Sequence, residues 1–314
     1  MTTPPPNADF TIAWICPSRL ELVAAREMFD RAYGKHPQTL HPSDANSYEL
    51  GKIGRNNIAM VCLPSVFATE DPRQMKATFS SLRVGICVAV GSGIPSDLND
   101  IRLGDVVVGM PERKFWGVVG LEHASASAST SRSGYSHLLT TAAHALTADR
   151  ARGVPSKIPS FLSKMFEWYP ENRVVYAYPG VSDDVLFRTD YSHASLRNHS
   201  KRSVVPRLVR TDCTRPDVHS GTIAAIDKPM TDVRVRDTWS ENLGIKGIIP
   251  IPGAGGLGRM HMPMLVVCGV GDYADSHGDG RWRGYAAATA AAYAKELLRT
   301  LTALPVGETG SETF

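Results

Sequence analysis

The sequence predicts an α/β protein, on three observations. Residues 10–16, FTIAWIC, form a short apolar run of the kind seen in a strand buried on both faces. Directly after it Ser18 precedes Glu21 by three positions, the spacing of a capping box, and Leu20, Val23, Ala24 and Met28 recur at helical intervals. Apolar runs of strand length return at 84–90, 220–225, 246–251 and 263–269, with helical stretches among them.

The elements follow in order from a proline-rich tail at residues 1–9. After the first strand and helix, residues 48–53 and 58–63 read as a hairpin split by Gly54-Arg55-Asn56-Asn57. A helix over about 72–82 leads to the strand 84–90, which is expected to end in the turn Gly91-Ser92-Gly93, and 105–110 is another strand. Residues 122–136, rich in Ser and Ala, read as a flexible loop, and helices are expected at 136–151 and 158–168. The 188–210 stretch carries Arg188, Arg197, Lys201, Arg202, Arg207 and Arg210 against Asp190, and reads as a solvated basic loop that could meet an anionic group. Strands at 220–225, 246–251 and 263–269, a helix near 231–241 and a long C-terminal helix complete the chain. The expected organisation is one domain over 10–304, carrying a loop-rich insertion at 122–215, with a second tail at 305–314.

Composition narrows the function classes. In 314 residues, 43% are hydrophobic, which supports a packed core and excludes global disorder. A net charge of +3 argues against nucleic acid or an anionic membrane surface as partner. Cys16, Cys62, Cys87, Cys213 and Cys268 are scattered without zinc spacing; they are expected to be small buried hydrophobes in a reducing, cytoplasmic compartment, with no metal. The N-terminus lacks the charged and apolar regions of a signal peptide, and the alanine-rich 284–304 carries Lys295, Glu296 and Arg299, so it reads as a soluble helix rather than a membrane span.

Several motifs together carry a family likeness: VAVGSGIPS at 88–96, DIRLGDVVV at 100–108, DVLFRTDYSH at 184–193, VHSGTIA at 218–224 and GVGDYADSHGDGRWRGYAAATAAAYAKELL at 269–298, with AWIC at 13–16, LGKIG at 50–54 and GVV at 117–119. The chain resembles the nucleoside phosphorylase/nucleosidase superfamily, in its fungal purine/uridine phosphorylase-like branch. The resemblance implies a central mixed β-sheet flanked by helices, a homo-oligomer, a small-molecule substrate, and cleavage of an N-glycosidic bond by water or phosphate without a cofactor. In that family the domain often opens larger signalling proteins; this chain, ending soon after the last helix, is expected to stand alone. Such chemistry needs an acid for the leaving base, polar contacts to a ribose becoming oxocarbenium-like, and a held nucleophile. The resemblance places the acid at Asp272, just beyond the last strand, and the water-positioning glutamate at Glu21, which also completes the Ser18 capping box. Gly91, Ser92 and Gly93 match the turn approaching the nucleophile.

The sequence also departs from the family. Ungapped counting from Pro263 and Asp272 puts the family segment Phe-Glu-Met-Glu-Ala-Ala-Gly, whose second Glu holds the ribose hydroxyls, on Ile251-Pro252-Gly253-Ala254-Gly255-Gly256-Leu257. Another polar segment, Ile-Ala-Ser-Gly-Asn, reads Ile223-Ala224-Ala225-Ile226-Asp227. Two charge-assisted hydrogen bonds to ribose are worth roughly 3–6 kcal/mol, and their loss in the transition state slows chemistry about 10²–10⁴-fold. Glu241 or Asp227 would supply the missing carboxylate if the register differs. With Gly253, Ala254 and Leu257 lining an apolar wall and Trp116, Phe187 and Trp239 available as aromatic walls or as core, the leading expectation is a repurposed enzyme of specialised metabolism. It would carry out a cofactor-free cyclisation, such as an intramolecular cycloaddition, on a largely apolar molecule. The alternatives are an N-ribosyl hydrolase or phosphorylase using Asp272 as acid, and a non-catalytic binding module. His193 reads as a structural histidine, and His219 and His277 flank matched motifs with no metal spacing linking them.

Overall fold

The computed structural model describes residues 3–62, 73–122, 125–129, 136–189, 204–251, 262–278 and 280–305. Strand β1 (Phe10–Cys16) is buried at every position. Helix α1 (Arg19–Arg26) begins on Ser18, whose hydroxyl accepts from the Leu20 N–H at 3.2 Å. An unforeseen edge strand, β2 (Arg31–Gly34), pairs with β3 (Tyr48–Ile53), and β3 turns into β4 (Asn56–Cys62) through Gly54 and Arg55 alone. Helix α2 (Arg73–Thr78) is shorter than the expected 72–82.

Strand β5 (Val84–Gly93) is buried throughout and runs on through Gly91-Ser92-Gly93, so the expected turn is strand. Strands β6 (Val106–Gly109), β7 (Pro111–Glu112), β8 (Phe115–Trp116), β9 (Val118–Glu122) and β10 (Ser125–Ser129) follow. The β9–β10 pair replaces part of the loop expected at 122–136, because pairing at the sheet edge overrides the weak β-propensity of Ser and Ala. Helices α3 (His137–Ala151), α4 (Ile158–Trp168) and the short α5 (Arg173–Tyr176) precede β11 (Val218–Ile226), α6 (Val233–Leu243), β12 (Ile245–Pro250), β13 (Met264–Asp272) and α7 (Arg283–Thr300).

The main sheet runs β10-β9-β11-β6-β13-β5-β1-β4-β3-β2, with β12 pairing both β11 and β5. That double pairing closes β5, β13, β6, β11 and β12 into a ring, while β1 to β4 extend from it as an open wing. The sheet is mixed: β1, β4, β5 and β13 are parallel neighbours, whereas β6 lies antiparallel to β13 and β12 antiparallel to β5. This is the α/β class with a central mixed sheet flanked by helices.

Alternation along the strands feeds two faces. Val106 and Val108 of β6 join the core under α1, α3, α4 and α7, whereas Val107 turns into the ring with Ile223, Ala225, Ile249 and Cys268. Ala224, Ile226 and Ile248 face outward to a third cluster against which Val235, Trp239 and Leu243 of α6 pack, so Trp239 is half-buried on that core. Helix α7 is buried from Gly284 to Leu298, which explains its alanines. At Gly269 a Cβ would stand 2.0 Å from the Ala286 carbonyl, so no larger residue fits where the helix crosses β13. The helices foreseen at 136–151 and 158–168 are present, and Leu139, Leu146, Ile158, Phe161, Met165 and Tyr176 pack into the α7 core. Glu296 of α7 accepts from Arg150 at 2.9 Å, Ser156 at 3.1 Å and the Lys157 N–H at 3.0 Å, tying that region down. Cys16, Cys87 and Cys268 are buried, and Cys62 and Cys213 partly so. Among the described residues no helix is long and apolar enough to cross a membrane.

Candidate active site

The parallel strands β1, β5 and β13 lie side by side and end at the same sheet edge, where an α/β sheet usually binds its ligand. Helix α1 starts at that edge because β1 ends there and Ser18 caps the turn. Glu21, in its first turn, is 2% exposed. In a capping box its carboxylate would return to the Ser18 N–H. Here it accepts instead from the Ser18 hydroxyl and from the Val90 N–H, at 3.1 Å for the latter, so it is fastened to β5. Burial, together with the Glu21 charge, pushes the Cys87 thiol up to about 12 and raises the Cys16 thiol too.

Asp272 is the last residue of β13, not a residue beyond it, and a register irregularity after Val270 sets it opposite Ser92. Ser92 stands beside its carboxyl across the strand pair, and the Ala274 N–H donates to Oδ1 at 2.8 Å. Ala274 takes φ +50°, a left-handed conformation uncommon outside glycine, to make that contact. Burial raises the Asp272 carboxyl above the usual carboxylate range, and the Asp275 charge adds to this. The Ser92 hydroxyl, the Ala274 N–H and the Arg283 charge offset only part of the rise.

Gly91, Ser92 and Gly93 therefore reach the site as strand, in register with β13 and β12, rather than as a turn of free amides. At Gly91 a Cβ would stand 2.1 Å from the Ile248 carbonyl and 2.9 Å from the Cys268 sulfur, so only glycine lets β12 cross here. The other expected residues divide. Phe187 stacks on His277, ring centroids 4.0 Å apart, over the loop that follows Asp272. Trp116 lies in β8, 38% exposed. Glu241, on α6, and Asp227, after β11, are both exposed. Gly253, Ala254 and Leu257, like His193, lie outside the described residues.

The basic stretch is not uniformly solvated where it is described: Arg188 is exposed, whereas Arg207 and Arg210 are half-buried in ion pairs. Arg210 grips Asp105 through two contacts of 2.7 Å, and His219 Nε2 meets the same carboxylate at 2.9 Å. These partners hold Asp105 below its ordinary value although burial alone would raise it. Arg207 pairs with Asp184 at 2.8 Å. Neither arginine is poised for an anion; both strap residues 204–210 to the loop before β6. Sequence reasoning missed these, and it missed Tyr176, whose hydroxyl donates to the Leu20 carbonyl at 3.0 Å beside Glu21. Burial, then the Glu21 and Glu27 charges, pushes that phenol up to about 12. Asp184 and Tyr273 stand inside conspicuous motifs and Arg207 inside the basic stretch, so a signal was there; Tyr176 sits in featureless sequence. Among the described residues no group of three or more His, Cys, Asp or Glu is arranged to hold a metal.

No family model matches the chain. A nucleotide-binding leucine-rich repeat (NLR)-like protein of Hyaloscypha variabilis is 33% identical over 300 residues, which is 92% of this chain but 29% of that protein's length. Among solved structures, a mutant of the Helicobacter pylori 5'-methylthioadenosine nucleosidase with 5'-methylthioadenosine in its active site matches with a TM-score of 0.56 at 10% identity, over 93% of this chain and 99% of the other. The H. pylori futalosine hydrolase matches at 0.54 and 11%, over 93% and 99%. The Neisseria meningitidis 5'-methylthioadenosine/S-adenosylhomocysteine nucleosidase matches at 0.51 and 14%, with the same coverage. These likenesses establish the fold as nucleoside phosphorylase/nucleosidase-like.

Proposed function

We propose that the protein is a hydrolase that cleaves the N-glycosidic bond of a nucleoside-like substrate. Asp272 serves as the acid for the departing base, and Glu21 holds the attacking water. The observation that carries this is the placement of two carboxylates against one strand: Glu21 bonded to the Val90 N–H and Asp272 in register with Ser92. Their environments differ as the roles require. Asp272 is raised by burial and so keeps a proton nearer to neutrality, where an acid must act. Glu21 already accepts two hydrogen bonds and can accept another from water while facing the developing positive charge of the sugar.

Water is favoured over phosphate as nucleophile because a carboxylate beside the attacking group repels an anion. The Gly91–Gly93 backbone, committed to strand pairing, also forms no open anion nest. The nucleosidase and futalosine hydrolase neighbours accord with this reading. Cyclisation of an apolar molecule is the other reading of the Pro/Gly/Ala-rich 251–257 segment, but it makes no use of a carboxylate buried at Glu21.

The test is binding of a cationic nucleoside analogue whose ring nitrogen imitates the oxocarbenium ion. It should bind at least about 10²-fold more tightly than the matching nucleoside, and Glu21→Gln should remove most of that preference. Equal binding of analogue and nucleoside would refute the assignment, and with it favour the cyclase.

A further inference from the structure

The residue after the acid is held at more points than packing requires. The Tyr273 hydroxyl accepts from Arg207 Nη2 at 2.9 Å and from the Leu103 N–H at 3.2 Å, and donates to Asp184. The Arg207 guanidinium also lies over the Tyr273 ring, 5.3 Å from its centroid, and reaches the Ile101 carbonyl at 3.3 Å. On the opposite side, the Tyr273 carbonyl accepts from Arg236 Nη1 at 2.7 Å. Arg236 comes from α6, is 4% exposed, and is paired with Asp237. The Asp237 carboxylate in turn accepts from Thr189 at 2.8 Å. Four separate parts of the chain, residues 101–103, 184–189, 207 and α6, thus converge on a single residue. The next residue, Ala274, holds its left-handed φ and delivers its N–H to Asp272. A non-glycine residue keeps such a conformation only where its surroundings over-determine it.

We propose that Tyr273, clamped by Arg207 and Asp184 at its hydroxyl and by Arg236 at its carbonyl, is a positioning residue that fixes the turn by which Ala274 orients the Asp272 carboxyl toward Ser92. The clamp acts through the backbone and touches no substrate. It explains why arginines in a basic stretch are buried in ion pairs, and why the 184–189 segment lies across the loop after β13. The role assigned to Asp272 rests on the hydrolase reading above; the clamp's hold on the Asp272 carboxyl does not.

The test combines Tyr273→Phe, which removes only the hydroxyl, with Arg207→Lys, which keeps the charge but not the fork, and reads two quantities. The first is the titration midpoint of Asp272 by carboxyl ¹³C NMR, assigned with Asp272→Asn. The groups acting on that carboxyl are Ser92, the Ala274 N–H, Asp275 and Arg283, and none is altered by the variants. In both variants the midpoint should fall toward that of an exposed aspartate as water enters the loosened turn. The second quantity is base release: kcat should drop about tenfold with KM within about twofold, the pattern of an interaction needed only in the transition state. An unchanged midpoint in folded variants overturns the clamp, as does a raised KM with kcat intact. A wild type that releases no base refutes the hydrolase reading, while the NMR titration still decides the clamp.

Discussion

Glu21 is an expensive residue to bury. Removing a carboxylate from water costs several kcal/mol even after relaxation, and its two hydrogen bonds return roughly 3–6 kcal/mol if each is charge-assisted. The near balance means that stability alone does not explain its position. Asp272 carries the clearer prediction. Its folded-state value lies above that of an unfolded chain, so the native state binds the proton more strongly. Stability therefore falls as pH rises from about 4, where an unfolded aspartate titrates, through the raised value, and is level beyond it. Asp272→Asn should remove that fall. Thermal unfolding should show the variant at least as stable as wild type at pH 8, with a flatter dependence between pH 4 and 8. A variant less stable than wild type at pH 8 would show that the Asp272 charge is held favourably rather than strained.

At the scale of elements, the site depends on how closely three strands approach. Strand β12 crosses β5 at Gly91, where its Ile248 carbonyl occupies the space of a side chain. Gly91→Ala would force β12 away from β5 and shift Ser92 relative to Asp272. Overpacking of this kind costs about 1–3 kcal/mol, and activity should fall further than stability because the Ser92–Asp272 pairing is displaced. Denaturant unfolding beside an activity assay checks both; a stable, fully active variant would mean that β12 adapts freely. Most elements were legible before the structure, because β1 and the greater parts of β5 and β13 are apolar runs and Ser18 caps α1. What misled was local chemistry overruled by pairing. Gly91-Ser92-Gly93 has turn composition but lies between two strands, and Ser125–Ser129 has loop composition but pairs with β9.

Across the whole molecule, the site is assembled from segments far apart in the chain: α1, the end of β5, the end of β13 and the strap of residues 184–189 and 204–210. Family motifs marked Asp272, Glu21 and Ser92, because each lies beside a recognisable strand end. The pairings of the clamp around Tyr273 were not legible although Asp184, Arg207 and Tyr273 stand in marked stretches, since contacts between residues as distant as Asp184 and Arg207, or Arg236 and the Tyr273 carbonyl, leave no spacing to read. The glycine and proline concentration at 244–258, six Gly and two Pro in fifteen residues, is now explained only in part. Gly247 pairs with Gly93 where β12 joins β5, while 252–258 lies outside the described residues. The central claim is that two carboxylates flanking β5, Glu21 and Asp272, cleave an N-glycosidic bond with water. Its most direct test is chromatographic measurement of free base from purine nucleosides in phosphate-free buffer, using wild type, Asp272→Asn and Glu21→Gln. The account predicts release by wild type and a loss of at least about 10²-fold in each variant. No release, release only when phosphate is added, or full activity in Glu21→Gln would contradict it.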